Sequence, residues 1–383
     1  MKLFIVSLLL LQLGPRVPLT PAETLLEPDV LRAIREQAAS GDGRAAAIPG
    51  SDSDSGDILV TCQSSCSAAN QALRKIEALV AANTIPRPKR TIRLESMSGD
   101  SWALRTKAVI HVGQSNAPGL QVARGLWSTV GLGDEVVEVF SRSTGPTEIR
   151  EFVDVAQLPL DAFGLSTTTI ISDAASVPRA AFAAAASAYF LATLPNAGSE
   201  ALLSHLTVGA HARLAEDGRR AVAQMGNQQR ASADVLIMFG QAIEREQRRM
   251  RSFERFMPSP VDPMLHSRIV DMEKGITSIW TSMGITSSPF VPAAERIRGR
   301  GGDDRRVASR TRAGRLPVVE LPTAFLTFEN VDVAVYELGN FIDGNRTISD
   351  IRDAVSAEFS PIALPVISDY FDRLAKAGAV TLK

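Results

Sequence analysis

The sequence predicts an α/β protein with a mostly parallel sheet flanked by helices, followed by a helical hairpin and a small winged-helix-like α+β domain. Short apolar runs of strand type, at 58–61, 91–94, 107–112 and 168–172, alternate with segments of helical period. This alternation is typical of a parallel sheet. From Ser199 the pattern becomes continuously helical, and short helices and strands return after Leu316.

The first strand–helix–strand segment is the expected centre of the sheet. Ile58–Thr61 is an apolar run, Ser67 offers a hydroxyl as a helix cap, and the helix ends before Pro86. Ligands of α/β sheets bind at the carboxyl ends of the strands. We therefore expect a site first in the loop from Cys62 to Cys66.

Five further elements complete the expected α/β part. They are a strand at Lys107–Val112, a helix from Pro118 to Val130, strands at Glu135–Phe140 and Thr168–Ser172, and an Ala-rich helix at Pro178–Leu194.

The next segment predicts a hairpin of two long helices. Asn227–Met257 is amphipathic, with apolar residues on one side and arginines and glutamates on the other. Pro258–Pro263 turns the chain, and Met264–Gly284 carries an apolar stripe of nearly heptad period. Such a stripe fits an intramolecular core better than a dimer interface.

The last part of the chain predicts an Arg-rich tether and a small domain. Residues 296–315 contain eight Arg and two Asp and have no apolar period, which favours a solvated linker. The small domain has strands at Val318–Leu321, Phe325–Phe328 and Val380–Leu382, a capping box from Thr347 to Asp350, and helices at Val333–Ile342, Ile348–Phe359 and Pro365–Ala377.

The predicted division of the chain follows from these patterns. Its parts are a signal peptide (1–20), an N-terminal helix and linker (21–57), an α/β domain (58–198), a helical region (199–294), a linker (295–315) and a winged-helix-like domain (316–383). The signal peptide would make the protein secreted or periplasmic, although residues 1–20 would also suit a buried first helix. No later segment is apolar enough to span a membrane.

The near-zero net charge of the chain argues against nucleic acid as a partner. The chain has 41 basic and 42 acidic residues, so the molecule as a whole does not attract nucleic acid. The best candidate recognition helix, Ile348–Phe359, is mainly acidic, so we expect no specific nucleic-acid binding.

The two cysteines, Cys62 and Cys66, lie four residues apart. Without a further cysteine or a nearby histidine they make a poor zinc site. Export would permit a disulfide, but the pattern fits two small loop or helix-start residues at least as well, and we favour that interpretation.

Several stretches resemble the di-zinc aminopeptidases, family twenty-eight of the metallopeptidases. The resemblance runs from "DILVT" through "AANQALRKIEALV" to "IPRPKRTIRL", and continues in Arg105–Gln114 and the Ala-rich helix. "LEPDVLRAIREQAASGDGRA" and the C-terminal segment resemble parts of bacterial members. The resemblance implies an aminopeptidase-like fold, here incomplete because the N-terminal half is shortened.

The resemblance also implies a zinc site, which the matching positions do not supply. Two zinc ions need histidine and carboxylate ligands. Thr61–Ser64 holds neither, Glu95 and Glu148 are the residual acids at family ligand positions, and the last ligand histidine falls on Phe163. We therefore expect no catalytic residue, no metal ligand and no zinc cofactor.

Other candidate residues give weaker signals. His205 and His211 are six residues apart on a helix and do not share a face. Ser115, in a strand-to-helix loop, resembles a nucleophile elbow, but nothing places an acid such as Asp161 or Asp173 beside it.

Three functions remain open. The favoured one is a degenerate metallo-aminopeptidase-like protein, a pseudoenzyme that binds a peptide or protein without cleaving it. The alternatives are an active zinc-dependent aminopeptidase and a non-enzymatic adaptor that acts through its C-terminal domain. The oligomeric state stays open.

Overall fold

The computed structural model describes residues 19–38, 47–62, 66–96, 105–150, 165–225, 233–257, 267–271, 274–275, 278, 281, 303–312, 316–327, 330–359 and 362–383. The expected signal peptide lies almost entirely outside these residues.

A six-stranded mixed sheet forms the centre of the molecule, and the α/β fold class is confirmed. The strands are β1 (Asp57–Cys62), β2 (Thr91–Ser96), β3 (Thr106–Gln114), β4 (Leu120–Ala123), β5 (Thr147–Arg150) and β6 (Ser166–Ser172). Their order is β2-β1-β3-β6-β4-β5. The first four in this order are parallel, β4 is antiparallel to β6, and β5 is parallel to β4.

The described α-helices flank this sheet and continue beyond it. They are α1 (Pro21–Leu25), α2 (Pro28–Glu36), α3 (Ser67–Ala81), α4 (Leu132–Arg142), α5 (Val177–Thr193), α6 (Ser199–Met225), α7 (Ala233–Arg251), α8 (Val331–Asn340), α9 (Ile348–Glu358) and α10 (Leu364–Lys376). None of the helices in the described ranges is long and apolar enough to cross a bilayer.

The main core lies on one face of the sheet. Alternate residues of β1, such as Ile58 and Val60, point into the same core cluster as Ile110 of β3 and Ile170 of β6. Helix α5 covers this face, and its residues from Ala180 to Ala192 are all buried. Because alanine side chains are small, the helix can approach the strands and its neighbouring helices closely.

Two predicted elements of the α/β part are wrong. The predicted helix from Pro118 contains β4, which follows Gly119 at a φ of +93°, a value that favours glycine. The predicted strand Glu135–Phe140 belongs to α4, because its valines and Phe140 also repeat with helical spacing and pack together against the core.

The interpretation of the two cysteines also needs correction. Cys62, at the end of β1, and Cys66, before α3, form a disulfide with their Cα atoms 5.3 Å apart. Cys66 is the N-cap residue, and no side chain caps this helix. The Ser67 hydroxyl instead accepts a hydrogen bond from Gln71 at 3.2 Å.

The helical hairpin of the structure is built from α6 and α7, which pack along each other. Helix α7 covers much of the segment predicted to be the first long helix. Most of the predicted second helix lies outside the described residues, and 267–271 are helical.

The C-terminal unit, residues 303–312, 316–327, 330–359 and 362–383, has three helices (α8–α10) and a two-stranded antiparallel sheet. The sheet pairs β7 (Ala308–Arg310) with β8 (Val380–Leu382). Residues 303–312 therefore belong to this unit, and the expectation of a solvated linker is wrong for them. The predicted strand at Val318–Leu321 is absent. A 3-10 helix, Thr323–Thr327, covers the described part of the strand predicted at 325–328.

Helix α9 begins at the predicted capping box. The Thr347 hydroxyl accepts a hydrogen bond from the Asp350 backbone N–H at 3.1 Å, and the Asp350 carboxylate accepts one from the Thr347 N–H at 3.0 Å. The unit has its own core, which contains Phe325, Tyr370 and Phe371.

Candidate functional site

The two residual acids do not meet in the structure. Glu95 lies in β2 and Glu148 in β5, the two edge strands of the sheet. Neighbouring strands are about 4.8 Å apart, so five spacings put them about 24 Å from each other. Glu95 pairs with Arg93 at 3.2 Å, and Glu148 pairs with Arg150 at 3.1 Å. The two carboxylates therefore cannot share a metal ion.

His111 is buried in the central strand β3. Its Nδ1 lies 2.9 Å from the Thr61 hydroxyl, while its Nε2 has no hydrogen-bond partner. Burial lowers the pKa of His111 to about 4, so its ring is neutral at pH 7. Within the described ranges, no three histidine, cysteine or acidic side chains gather as a metal site would require.

The residues considered for a serine hydrolase have local structural contacts instead. The Ser115 hydroxyl accepts a hydrogen bond from the Ala117 N–H at 3.0 Å, and Asp173 caps the turn that leads into α5. The His205 ring lies 3.3 Å from the Thr24 hydroxyl. Asp161 and Phe163 lie outside the described residues.

A cavity of about 310 Å³ lies where the loop after β4, the α6–α7 hairpin and the end of α9 meet. We call it the hairpin cavity. Its lining comprises Arg124, Gly125, Trp127, Ala212, Arg213, Glu216, Asp217, Arg220, Met238, Ala242, Arg245, Arg249, Ala357 and Glu358. It brings together three parts of the chain that are far apart in sequence.

Buried ion pairs form the inner wall of the hairpin cavity. Glu246 of α7 is fully buried and accepts hydrogen bonds from Arg213 of α6 at 2.9 Å and from the adjacent Arg245 at 2.7 Å. Burial alone would raise the pKa of Glu246, but the guanidinium groups of Arg245, Arg213 and Arg249 hold it well below its usual range. Glu246 is therefore ionised and joins the two helices of the hairpin.

Acids from neighbouring elements compensate the same arginines. Arg213 also pairs with Glu135 of α4 at 2.6 Å, and Arg245 pairs with Asp217 of α6 at 2.8 Å. The lining arginines Arg124, Arg213, Arg220, Arg245 and Arg249 each have a carboxylate within 4 Å. The cavity is rich in charge but carries no large excess of either sign.

Arg249 is the least satisfied of these arginines. Its Nη1 lies 3.2 Å from Asp134 and its Nε lies 3.5 Å from Glu246. Neither nitrogen makes a well-formed hydrogen bond, although the side chain is only 3% exposed. Asp134 instead accepts well-aligned bonds from the Gly125 N–H and the Thr168 hydroxyl, at 2.9 and 2.8 Å. Arg249 is thus held at the cavity by ion pairs rather than by well-aligned hydrogen bonds.

Glu358 brings a carboxyl group from the C-terminal unit to the cavity. Its Oε1 accepts a hydrogen bond from the Trp127 N–H at 3.1 Å, and the carboxyl group is also hydrogen-bonded to that of Glu337. Burial and the neighbouring charge of Glu337 raise the pKa of Glu358 well above its usual value. The two carboxyl groups therefore hold a shared proton to a higher pH than an isolated glutamate would.

Trp127 gives the cavity an aromatic wall. The Arg245 guanidinium lies over its ring, 4.8 Å from the centroid. Met238, Ala242 and Ala357 add apolar surface. The hairpin cavity therefore combines an apolar wall, a buried ion-paired arginine and a carboxyl group whose pKa is raised.

The sequence alone does not reveal this site. The arginines of 227–257 fit a polar helix face, and their acidic partners on α4 and α6 are distant in sequence. The available signal was the adjacent charged pairs Arg245-Glu246 and Arg248-Arg249, which lie in an amphipathic helical segment.

Comparisons with known proteins do not identify a family. No family model matches the chain, and no curated protein is significantly similar to it. One solved structure that matches, from Clostridium acetobutylicum, is described as a "putative peptidase" and is 12% identical, with a TM-score of 0.25. The match covers 88% of this chain and 59% of that chain, so this chain spans less than two thirds of that protein. At this TM-score the likeness carries no argument about activity.

Proposed function

We propose that the protein is a binding protein that holds a peptide or a protein segment in the hairpin cavity without cleaving it. The cavity carries the proposal, because it sets the buried, ion-paired Arg249 and the carboxyl group of Glu358 beside the apolar surface of Trp127 and Met238. Binding sites commonly combine mostly apolar surface with a few convergent polar groups in this way.

The absence of cleavage is proposed from the sequence. The positions that match the aminopeptidase pattern supply Glu95 and Glu148 but no histidine. The distance between these two acids, across the width of the sheet, supports the same proposal. If residues 1–20 are a signal peptide, the binding takes place in a secreted or periplasmic setting.

The test combines metal, activity and binding measurements on the full chain. After dialysis we expect no stoichiometric zinc by elemental analysis, and no turnover of aminoacyl anilides with added Zn²⁺. A mixed library of labelled pentapeptides should bind with measurable affinity. About two zinc ions per chain with turnover would establish the active aminopeptidase instead, and a library that does not bind would refute the binding proposal.

A further inference from the structure

We infer that the Cys62–Cys66 disulfide is a redox site that oxidises the two thiols of a dithiol substrate by thiol–disulfide exchange. The bond joins the end of β1 to the start of α3, at the carboxyl edge of the parallel strands. Ligands of α/β sheets bind at this edge. Neither cysteine lines the hairpin cavity, so the inference is independent of the peptide binding proposed there.

The two cysteines differ in exposure. Cys62 is fully buried in the main core, whereas Cys66 is half-buried and is followed by the exposed Ser67. Exchange begins when a thiolate attacks one sulfur of a disulfide and expels the other, and the attacked sulfur must be accessible. The substrate thiolate therefore attacks Cys66 Sγ, and Cys62 is the sulfur that leaves.

The N-terminus of α3 favours a thiolate at Cys66. Cys66 is the N-cap residue of this 15-residue helix, no side chain caps the helix, and its first turn contains no acid. The Ser67 hydroxyl is engaged by the Gln71 side chain. The first N–H groups and the positive end of the helix dipole stabilise negative charge at this position, including that of a thiolate. A disulfide whose reduced form is stabilised is a stronger oxidant.

The fold does not depend on the disulfide. Cys62 is already paired in register with Ser96 of β2 and Val112 of β3. The first turn of α3 is anchored separately, because Ala68 and Ala69 are buried in the main core. The two cysteines are only four residues apart, and stabilisation by a disulfide grows with the length of the loop that it closes. We therefore expect β1 and α3 to stay in place when the bond is reduced.

The exchange balances in two steps. The first substrate thiolate forms a mixed disulfide with Cys66 Sγ, the bond to Cys62 breaks, and the Cys62 thiolate takes up a proton. The second substrate thiol loses its proton and attacks the substrate's own sulfur in the mixed disulfide. This step closes the substrate disulfide and expels Cys66 as a thiolate, which the helix N-terminus stabilises as a leaving group. The substrate loses two electrons, and the protein disulfide gains them.

A dithiol peptide tests the inference on the full chain. The oxidised protein is mixed with excess N-acetyl-Cys-Gly-Gly-Cys-amide at pH 7, and free thiols are then alkylated and counted by mass spectrometry, while circular dichroism follows the fold. We expect one peptide disulfide for each protein disulfide that is reduced, with no loss of helical content. Reduction that occurs only in urea, or that unfolds the chain, would identify a structural disulfide and overturn the inference.

Two single-cysteine variants identify the reactive sulfur. Cys62→Ala leaves Cys66 alone, and Cys66→Ala, which leaves Cys62 alone, is the matched control. With oxidised glutathione at pH 7, we expect Cys62→Ala to form a mixed disulfide at least about tenfold faster than Cys66→Ala, because Cys62 is buried and lies away from the helix N-terminus. Equal rates, or a faster reaction of Cys66→Ala, would overturn the inference.

Alkylation by iodoacetamide separates activation of Cys66 from mere exposure. In Cys62→Ala at pH 7, we expect Cys66 to react at least about threefold faster than the thiol of glutathione, because a larger fraction of it is thiolate. A rate no higher than that of glutathione would overturn the inference. If Cys62→Ala does not fold, the same rate is measured on the reduced wild-type chain, with the alkylated cysteine identified by peptide mass spectrometry.

Discussion

Ser128 and Glu337 join the C-terminal unit to the loop after β4. The Ser128 backbone N–H donates a hydrogen bond to Glu337 Oε2 at 2.9 Å, and its hydroxyl donates one to Oε1 of the same carboxyl group. Asn340 donates a further bond to the Ser128 hydroxyl at 3.1 Å. Because Glu337 also lies against Glu358, the junction contains two acids that share a proton.

This carboxyl pair predicts a pH-dependent stability. The pKa of Glu358 is raised by burial and by Glu337, so the folded protein keeps a proton that the unfolded chain releases above its ordinary pKa of about 4.5. The stabilisation is complete below that value and is lost as pH rises toward the raised pKa. The slope is at most about 1.4 kcal/mol per pH unit.

Urea unfolding between pH 7.5 and 8.5 measures this effect above the ordinary pKa of about 6.5 at which His111 titrates in the unfolded chain. We expect the wild-type midpoint to fall with pH and the slope to be shallower in Glu358→Gln, whose amide does not ionise. The other charged groups facing the pair are Arg245 and Arg248, which keep their charge over this range. Identical slopes for the two proteins would contradict the prediction.

The sequence predicts the centre of the sheet well because those strands are fully buried. Ile58–Thr61 and Lys107–Val112 are mostly apolar segments of strand length, and they form most of β1 and β3. The Ala-rich helix is predicted equally well, since Pro178 occupies a first-turn position. The helix is one uninterrupted element of seventeen residues.

The strands and helices between β3 and β5 could not be predicted from the local pattern. Val136, Val137 and Phe140 fit both a strand and a helix, and their packing against the core decides for the helix. Leu120–Ala123 is only four residues long and forms a strand because it pairs with both β5 and β6. A strand that forms by pairing with distant parts of the chain shows no periodic hydrophobic pattern in its own short sequence.

The hairpin cavity was not predicted for a related reason. Arg245 and Arg249 have the composition of a solvated helix face, and burial becomes favourable only when Glu246, Asp217 and Asp134 compensate them. Those partners lie on α4, α6 and α7. The sequence shows the charges, whereas their pairing requires the tertiary structure.

The central position of Glu246 predicts a large stability loss on its neutralisation. Glu246→Gln would leave Arg213, Arg245 and Arg249 with one fewer buried carboxylate, and removal of one partner from a buried ion pair costs about 3–5 kcal/mol. Urea unfolding of the full chain measures this loss. The control is Glu216→Gln, because Glu216 pairs with Arg219 and Arg220 at the surface and should contribute far less. Equal losses in the two variants would show that the buried ion pairs do not stabilise the hairpin.

The C-terminal unit includes residues 303–312, which precede its predicted boundary. The chain around β7 is tied to the end of the unit on both sides. The Val307 N–H donates to the Lys383 carbonyl at 2.9 Å, and the Lys383 N–H donates to the Val307 carbonyl at 3.1 Å. Asp304 accepts a hydrogen bond from the Ser368 hydroxyl at 2.7 Å, and buried Ala308 belongs to the core of the unit.

A fragment that starts at residue 316 would lack all of these contacts, and β8 would lose its pairing strand. We therefore expect residues 303–383 to unfold cooperatively on heating and residues 316–383 to melt at a lower temperature or without a cooperative transition. Circular dichroism of the two purified fragments measures the difference. Ala308→Glu in the longer fragment is the third arm, because a carboxylate at this fully buried position should displace β7 and lower the melting temperature toward that of the shorter fragment. Cooperative melting of 316–383 at the same temperature as 303–383 would show that β7 contributes nothing to the unit. The linker would then extend to residue 315, as the sequence predicts.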